Sequence, residues 1–141
     1  MSKHSHVCQY TGYKKQRSMA VGEVTGYRNA INSAKIFSQL NPFFISVDSL
    51  TLFPGTKLFD MEKDGKFIQA GEKERIQELQ MFIQSLQIRT HLFANSKSNF
   101  YPIVAYLPKE RNSAIAELQY VIDTVEEKEM KHYRESLKSL E

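Results

Sequence analysis

Two groups of polar residues stand where the sequence could place chemistry. Asp48 interrupts the most apolar strand that the sequence predicts, residues 44–52. Because an isolated buried charge is costly, this carboxylate lies near a strand end, is paired, or faces a wet cavity. The second group follows another predicted strand and comprises Asn95, Ser96, Ser98 and Asn99. It is typical either of an ordinary turn or of a ligand site, since α/β folds bind ligands at the carboxyl ends of strands.

Few residues in the sequence support metal binding or nucleophilic catalysis. Zinc needs three or four ordered ligands, whereas His4 and His6 lie in a terminal segment, and His91 and His132 are isolated from them. Cys8 lies in the segment expected to be least ordered, and neither a nucleophile elbow nor a phosphate-binding glycine loop occurs. The sequence therefore predicts no metal site and no catalytic residue.

The elements that position the polar groups follow from the spacing of apolar residues. The pattern predicts helices over 27–40, 57–63, 72–87 and 109–126, strands over 44–52 and 89–94, and an extended segment over 100–108. Both faces of the 44–52 strand carry apolar residues, which indicates burial on both sides, as in parallel sheets covered by helices. The order of elements predicts an α/β fold.

The predicted domain has a segment on either side. Residues 1–24 show no sustained hydrophobic period and are expected to be a poorly ordered lead-in, with a short strand over 19–21. Residues 25–126 form the α/β domain, and residues 127–141 form a C-terminal helical tail. Two parallel strands make a poor sheet, so we expect the chain to hold part of a larger one.

Composition narrows the class of partner. The net charge of +3 is spread along the chain, and only Lys14, Lys15 and Arg17 cluster, so we expect no nucleic-acid partner. No apolar run approaches the ~20 residues of a membrane span. The single cysteine fits a reducing cytoplasm, where we expect the protein to reside.

The stretch "NPFFISVDSLTLFPGTKLFDMEKDGKF", Asn41 to Phe67, resembles a late barrel strand and the following loop of radical S-adenosylmethionine enzymes. The likeness is nearest to the coproporphyrinogen-oxidase-like branch of Fe–S oxidoreductases. "FANSKSNFYPI", Phe93 to Ile103, and "LPKE", Leu107 to Glu110, resemble later segments of such proteins. Together these motifs cover about residues 27–125.

This resemblance implies a partial, half TIM-type barrel with parallel strands, flanking helices and additional C-terminal helices. It also implies S-adenosylmethionine and a [4Fe–4S] cluster as cofactors of the full-length family. Leu50, Leu52, Phe53 and Pro54 would contact S-adenosylmethionine, and Asp48 and Asn99 would lie near the substrate. The Cys-x-x-x-Cys-x-x-Cys loop that holds the cluster is absent, because the chain contains one cysteine.

Two functions follow as expectations. The first is a truncated C-terminal part of a radical S-adenosylmethionine-type oxidoreductase, without catalysis of its own, whose partner is the missing N-terminal half. The alternative is a stand-alone α/β interaction module that pairs with itself, as a homo-oligomer, or with another chain. The 44–52 strand, with Asp48 as its one charge, is expected to be the exposed strand edge that recruits the partner.

Overall fold

The computed structural model describes residues 6–11, 13–18 and 22–139 of the chain. The strands in this part are β1 (His6–Thr11), β2 (Tyr13–Ser18), β3 (Gly22–Thr25), β4 (Phe44–Ser49), β5 (Phe67–Gln69), β6 (Thr90–Ala94) and β7 (Ile103–Leu107). The helices are α1 (Gly26–Leu40), α2 (Lys57–Lys63), α3 (Glu72–Ser85), α4 (Arg111–Thr124) and α5 (Glu127–Leu137).

The strands form two sheets, and the larger one carries the candidate site. Its order is β1-β4-β6-β7, in which β1, β4 and β6 are parallel and β7 is antiparallel to β6. The chain passes through α1 between β1 and β4, and through α3 between β4 and β6. Parallel neighbours need such crossovers, so these strands end at the same edge of the sheet. The smaller sheet is antiparallel, in the order β3-β2-β5.

The hydrophobic core lies on one face of the larger sheet. Along β4, Ile45 and Val47 are almost fully buried, and Leu92 on β6 and Ala105 on β7 lie on the same side. They form one cluster with residues of α1, α3 and α4, including Ala34, Phe82, Ile83 and Leu118. Helices therefore cover this face of the sheet.

The opposite face of the sheet stays partly accessible and is rich in rings. Phe44 on β4, His91 and Phe93 on β6, and Tyr106 on β7 are half-buried. The His91 ring lies 4.7 Å from that of Tyr106 and 6.5 Å from that of Phe93, measured between ring centroids. Val104 on β7 is 50% exposed. We call this side the ring face.

The α/β class is confirmed, and several element boundaries match the expectation. The predicted helix over 57–63 is α2, and those over 27–40 and 72–87 match α1 and α3 to within two residues. The apolar stripe expected on α3 is buried as predicted, from Ile76 through Leu86. The tail segment contains α5, in which Met130 is fully buried.

Three expectations about strands were wrong. The strand that begins at Phe44 ends at Ser49 rather than at residue 52, because the Leu50 carbonyl accepts hydrogen bonds from buried arginines instead of continuing the strand ladder. It is buried on one face only, because the helices pack on one side. The lead-in is also not without structure, since it supplies β1, β2 and β3. These strands are short and polar, which left no hydrophobic period to detect, and the strand expected at 19–21 lies outside the described residues.

The substitution Ile83→Ala tests the packing of α3. Ile83 is fully buried in the main core cluster, so the cavity left by Ala is expected to lower the free energy of unfolding by about 2–5 kcal/mol. The neighbouring exposed Gln84 provides a matched control, and Gln84→Ala should change stability by less than about 0.5 kcal/mol. Urea denaturation followed by circular dichroism measures both. Equal effects of the two substitutions would contradict the packing of α3.

Candidate functional site

A groove lies where β4 and β6 end at the same edge of the larger sheet. Its volume is about 510 Å³, which falls in the range of small-molecule sites. The groove is lined by residues from the end of β4, the loop after β6 and α5, namely Asp48, Ser49, Leu50, Thr51, Phe53, Ser96, Lys97, Ser98 and Leu137. The structure thus brings together the two polar groups that the sequence singled out.

Asp48 is anchored in this groove by hydroxyl groups. The Ser96 hydroxyl donates a hydrogen bond to the Asp48 carboxylate at 2.5 Å and lies 2.8 Å from the Ser98 hydroxyl. The Ser98 oxygen also accepts a hydrogen bond from the Ser49 backbone amide at 2.9 Å. Asp48 is therefore near a strand end, hydrogen-bonded and facing a cavity at once. Its carboxylate is held in place to accept hydrogen bonds from a hydroxyl or amino group of a ligand.

Asn99 has a position different from that of Asp48. Its side chain is buried, and its amide donates to the Val47 carbonyl at 2.9 Å and to the Ser96 hydroxyl at 3.3 Å. These bonds attach the loop after β6 to β4. Asn99 supports Ser96 from behind rather than lining the groove itself.

The residues expected to contact a cofactor divide into two sets. Leu50 and Phe53 line the groove and give it an apolar wall. Leu52 is 2% exposed and does not line the groove, and Pro54 is exposed in the turn before α2. Gly55 in that turn has φ +90°, which disfavours any residue with a side chain, and Thr56 then caps α2 by accepting from the Phe59 amide.

One buried guanidinium fixes the shape of the groove. Arg134 on α5 bonds the Glu72 carboxylate, the Thr51 hydroxyl at 2.7 Å, the Ser49 hydroxyl at 3.1 Å and the Ser98 carbonyl at 2.9 Å. Its partners therefore come from both loops that form the groove and from the first turn of α3. The planar fork of arginine supplies several fixed donors, which lets a single side chain join three segments.

Arg75 adds a second buried cation beside Arg134. Its guanidinium donates to the Ser49 hydroxyl at 3.0 Å and to the Gln69 amide oxygen at 2.8 Å, and it pairs with Glu72 at 3.1 Å. Burial, followed by repulsion from Arg134, lowers the pKa of Arg75 to about 10. The group is therefore still charged at neutral pH, and the two cations share the carboxylate of Glu72.

The helix α5 is attached to α3 at a second point. The Glu127 carboxylate accepts from the backbone amides of Glu72 at 2.7 Å and Lys73 at 3.1 Å. It thereby caps the N-terminus of α3, where backbone amides lack helical partners and a negative charge is favourable. Farther along α5, the Tyr133 hydroxyl donates to the Lys97 carbonyl at 2.6 Å. The tail helix thus holds the loop after β6 as well as α3.

Sequence reasoning missed this ionic cluster. Glu72 stands in the first turn of α3, where a carboxylate is usually solvated, yet it is 6% exposed and pairs with Arg134, which follows 62 residues later. No local pattern links the two residues. The sequence did contain one signal. Arg75 lies next to the apolar stripe of α3 that includes Ile76 and Leu79, and a charged residue beside such a stripe borders the core.

Comparison with protein-family models, with curated proteins and with solved structures finds no match to this chain. Among the described residues, no group of three or more His, Cys, Asp or Glu side chains is placed to hold a metal ion. In the same part of the chain, every helix is too short or too polar to cross a membrane.

The substitution Arg134→Met tests whether the groove depends on α5. It removes one of the two cations that pair with buried Glu72 and leaves the Thr51 hydroxyl and the Ser98 carbonyl without this donor, so the free energy of unfolding should fall by about 2–4 kcal/mol. Lys131 lies three residues earlier on the same helix and is exposed, so Lys131→Met should have almost no effect. Guanidinium denaturation monitored by circular dichroism measures both. A loss below about 1 kcal/mol for Arg134→Met would contradict the role of this cluster.

Proposed function

We propose that this chain is the carboxyl-terminal, ligand-facing part of a radical S-adenosylmethionine-type barrel and has no catalysis of its own. The observation that carries the proposal is the asymmetry of the larger sheet. Helices bury one face, whereas the ring face opposite carries half-buried aromatic side chains and ends at the groove that contains Asp48. A barrel wall has this arrangement, with helices outside and ligand-facing residues inside, at the carboxyl ends of parallel strands.

The three parallel strands β1, β4 and β6 support the same proposal. Parallel sheets are normally covered on both faces, so a sheet with one accessible face favours a further layer or further strands. In a half barrel that space is filled by the remaining strands. The missing N-terminal half, as a separate or preceding segment, is therefore the proposed partner. The single cysteine of this chain fits the cytoplasmic location that we propose for it.

The two cofactors implied by the resemblance fit this chain differently. A [4Fe–4S] cluster is held by cysteine thiolates, and the chain has only Cys8, so its residues do not fit the cluster. S-adenosylmethionine fits better, because the groove combines an apolar wall at Leu50 and Phe53 with the acceptor Asp48. The chain would contribute these contacts and would leave the redox chemistry to the segment that binds the cluster.

The purified chain is expected to assemble no iron–sulfur cluster and to cleave no S-adenosylmethionine. The physical reason is the donor set, since Cys8 cannot replace three thiolates. Anaerobic reconstitution with iron and sulfide, followed by visible absorbance and a cleavage assay with dithionite, measures this. A stable brown protein with several irons per chain would contradict the proposal that the chain is not catalytic alone.

Binding of S-adenosylmethionine tests the ligand-facing role. In a titration monitored by ¹⁵N-resolved NMR, amide shifts should be confined to residues 48–53 and 96–98 and to the end of α5 at Leu137, which border the groove. Phe53→Ala should weaken binding about tenfold, the effect of losing about 1.4 kcal/mol of contact energy. Phe43→Ala, at the exposed residue just before the start of β4, is the matched control and should leave the affinity unchanged. No shifts at the groove, or equal effects of both substitutions, would overturn the proposal.

A second candidate function is a self-associating α/β module. The observation that favours it is the same accessible ring face, combined with an outer strand of the sheet that has no partner among the described residues. Under this reading a second copy, instead of a missing half, completes the sheet. The contact between the two copies would then form at one of the two outer strands of the larger sheet.

A further inference from the structure

The larger sheet ends in two outer strands, β1 and β7. The strand that the sequence indicated as the exposed edge, β4, lies inside the sheet between β1 and β6. Outer strands present unpaired backbone amides and carbonyls and recruit further strands unless they are protected. Any strand that joins this sheet must therefore add to β1 or to β7.

The edge at β7 is protected by its own sequence. Pro102 and Pro108 flank the strand and offer no backbone N–H group. Glu110 satisfies both outward-facing backbone groups of Tyr106. The Glu110 carboxylate accepts a hydrogen bond from the Tyr106 amide at 2.8 Å, and the Glu110 amide donates one to the Tyr106 carbonyl at 2.8 Å. An added strand would have to displace these bonds, so β7 is a poor template.

The edge at β1 has no such protection in its sequence. The strand reads His-Val-Cys-Gln-Tyr-Thr and contains no Lys, Arg, Asp, Glu or Pro. These are the residues with which outer strands usually resist pairing. In the described part of the chain, β1 pairs only with β4, through all six of its residues.

We propose that β1 pairs antiparallel with β1 of a second copy of this chain, which joins two four-stranded sheets into one of eight strands. The proposal rests on the self-association described above and names its interface. Identical strands can pair with each other about a two-fold axis, and such closed symmetry is the usual form of homo-oligomers. The axis stands perpendicular to the sheet, so both helix layers lie on one side and both ring faces lie on the other.

This symmetry restricts the register of the two strands. Residues directly opposite each other in a sheet lie on the same face. Because the axis is perpendicular to the sheet, each residue and its copy also lie on the same face. The axis therefore passes through a pair formed by one residue and its own copy, and not between two pairs. The register centred on Cys8 pairs His6–Tyr10 with the same residues in the second copy. It leaves Thr11, the last residue of β1, outside the pairing. The two Cys8 residues then lie directly opposite each other.

The pairing gives Cys8 a use as a probe. Opposite residues in antiparallel strands have Cα atoms about 4.5–5.5 Å apart, within the range that a disulfide can bridge. Cys8 is the only cysteine, so a disulfide-linked dimer can form only through it. The intact chain should therefore give a covalent dimer on mild oxidation with copper phenanthroline, seen on a non-reducing gel.

Matched variants separate this interface from other contacts. The variant Cys8→Ser combined with Val104→Cys moves the thiol to the exposed side chain on β7 and should give no covalent dimer. Gln9→Lys places a charge on the β1 edge and should turn the dimer into a monomer by light scattering, with an unchanged circular dichroism spectrum.

The outcomes distinguish the interface from self-association itself. A non-covalent dimer that does not crosslink through Cys8, or that crosslinks through the Val104→Cys variant, would overturn the β1 interface and leave self-association standing. A monomer at all concentrations would overturn both. The cluster and ligand-binding experiments test the radical S-adenosylmethionine proposal separately. A confirmed β1 dimer would count against that proposal, because the dimer occupies the sheet edge that a missing half would need.

Discussion

The buried ion pair between Arg134 and Glu72 is the constraint on which the site depends. A charge out of water is costly unless it is paired and its remaining donors are bonded, and Arg134 meets both conditions at once. Its acceptors lie on α3 and on both loops that border the groove. If any of these segments moved away, the buried guanidinium of Arg134 would lose one of its partners. The geometry of the groove therefore depends on a residue in the tail helix.

The two faces of the larger sheet follow from the same packing. The cluster and the cap that Glu127 provides hold α5 against the N-terminus of α3, and α3 lies with α1 and α4 over one face. Within residues 6–11, 13–18 and 22–139, no comparable packing covers Phe44, His91 and Phe93 on the ring face, and these side chains are half-buried. The molecule thus combines a well-packed side with a side suited to receive a ligand or another chain, which is the basis of both proposed functions.

Local patterns in the sequence predicted the helices well and the site in part. Apolar periodicity located α3 and its buried stripe, but it extended the strand that begins at Phe44 past its end at Ser49. Asp48 and the serines were recognised as candidates because each follows or interrupts an apolar run. Their contact with each other depends on strand order, which no local pattern encodes. The same holds for β1, whose short polar sequence becomes a sheet strand only through pairing with β4.

Amide hydrogen exchange of the unmodified chain tests the central claim most directly, because it reports whether α5 and the groove form one unit with α3. If the ionic cluster joins them, amides in the middle of α5 should exchange as slowly as those in the first full turn of α3, and both should open in a single cooperative step. Exchange of α5 at rates typical of a frayed terminal helix, while α3 stays protected, would contradict the claim that Arg134 fixes the site.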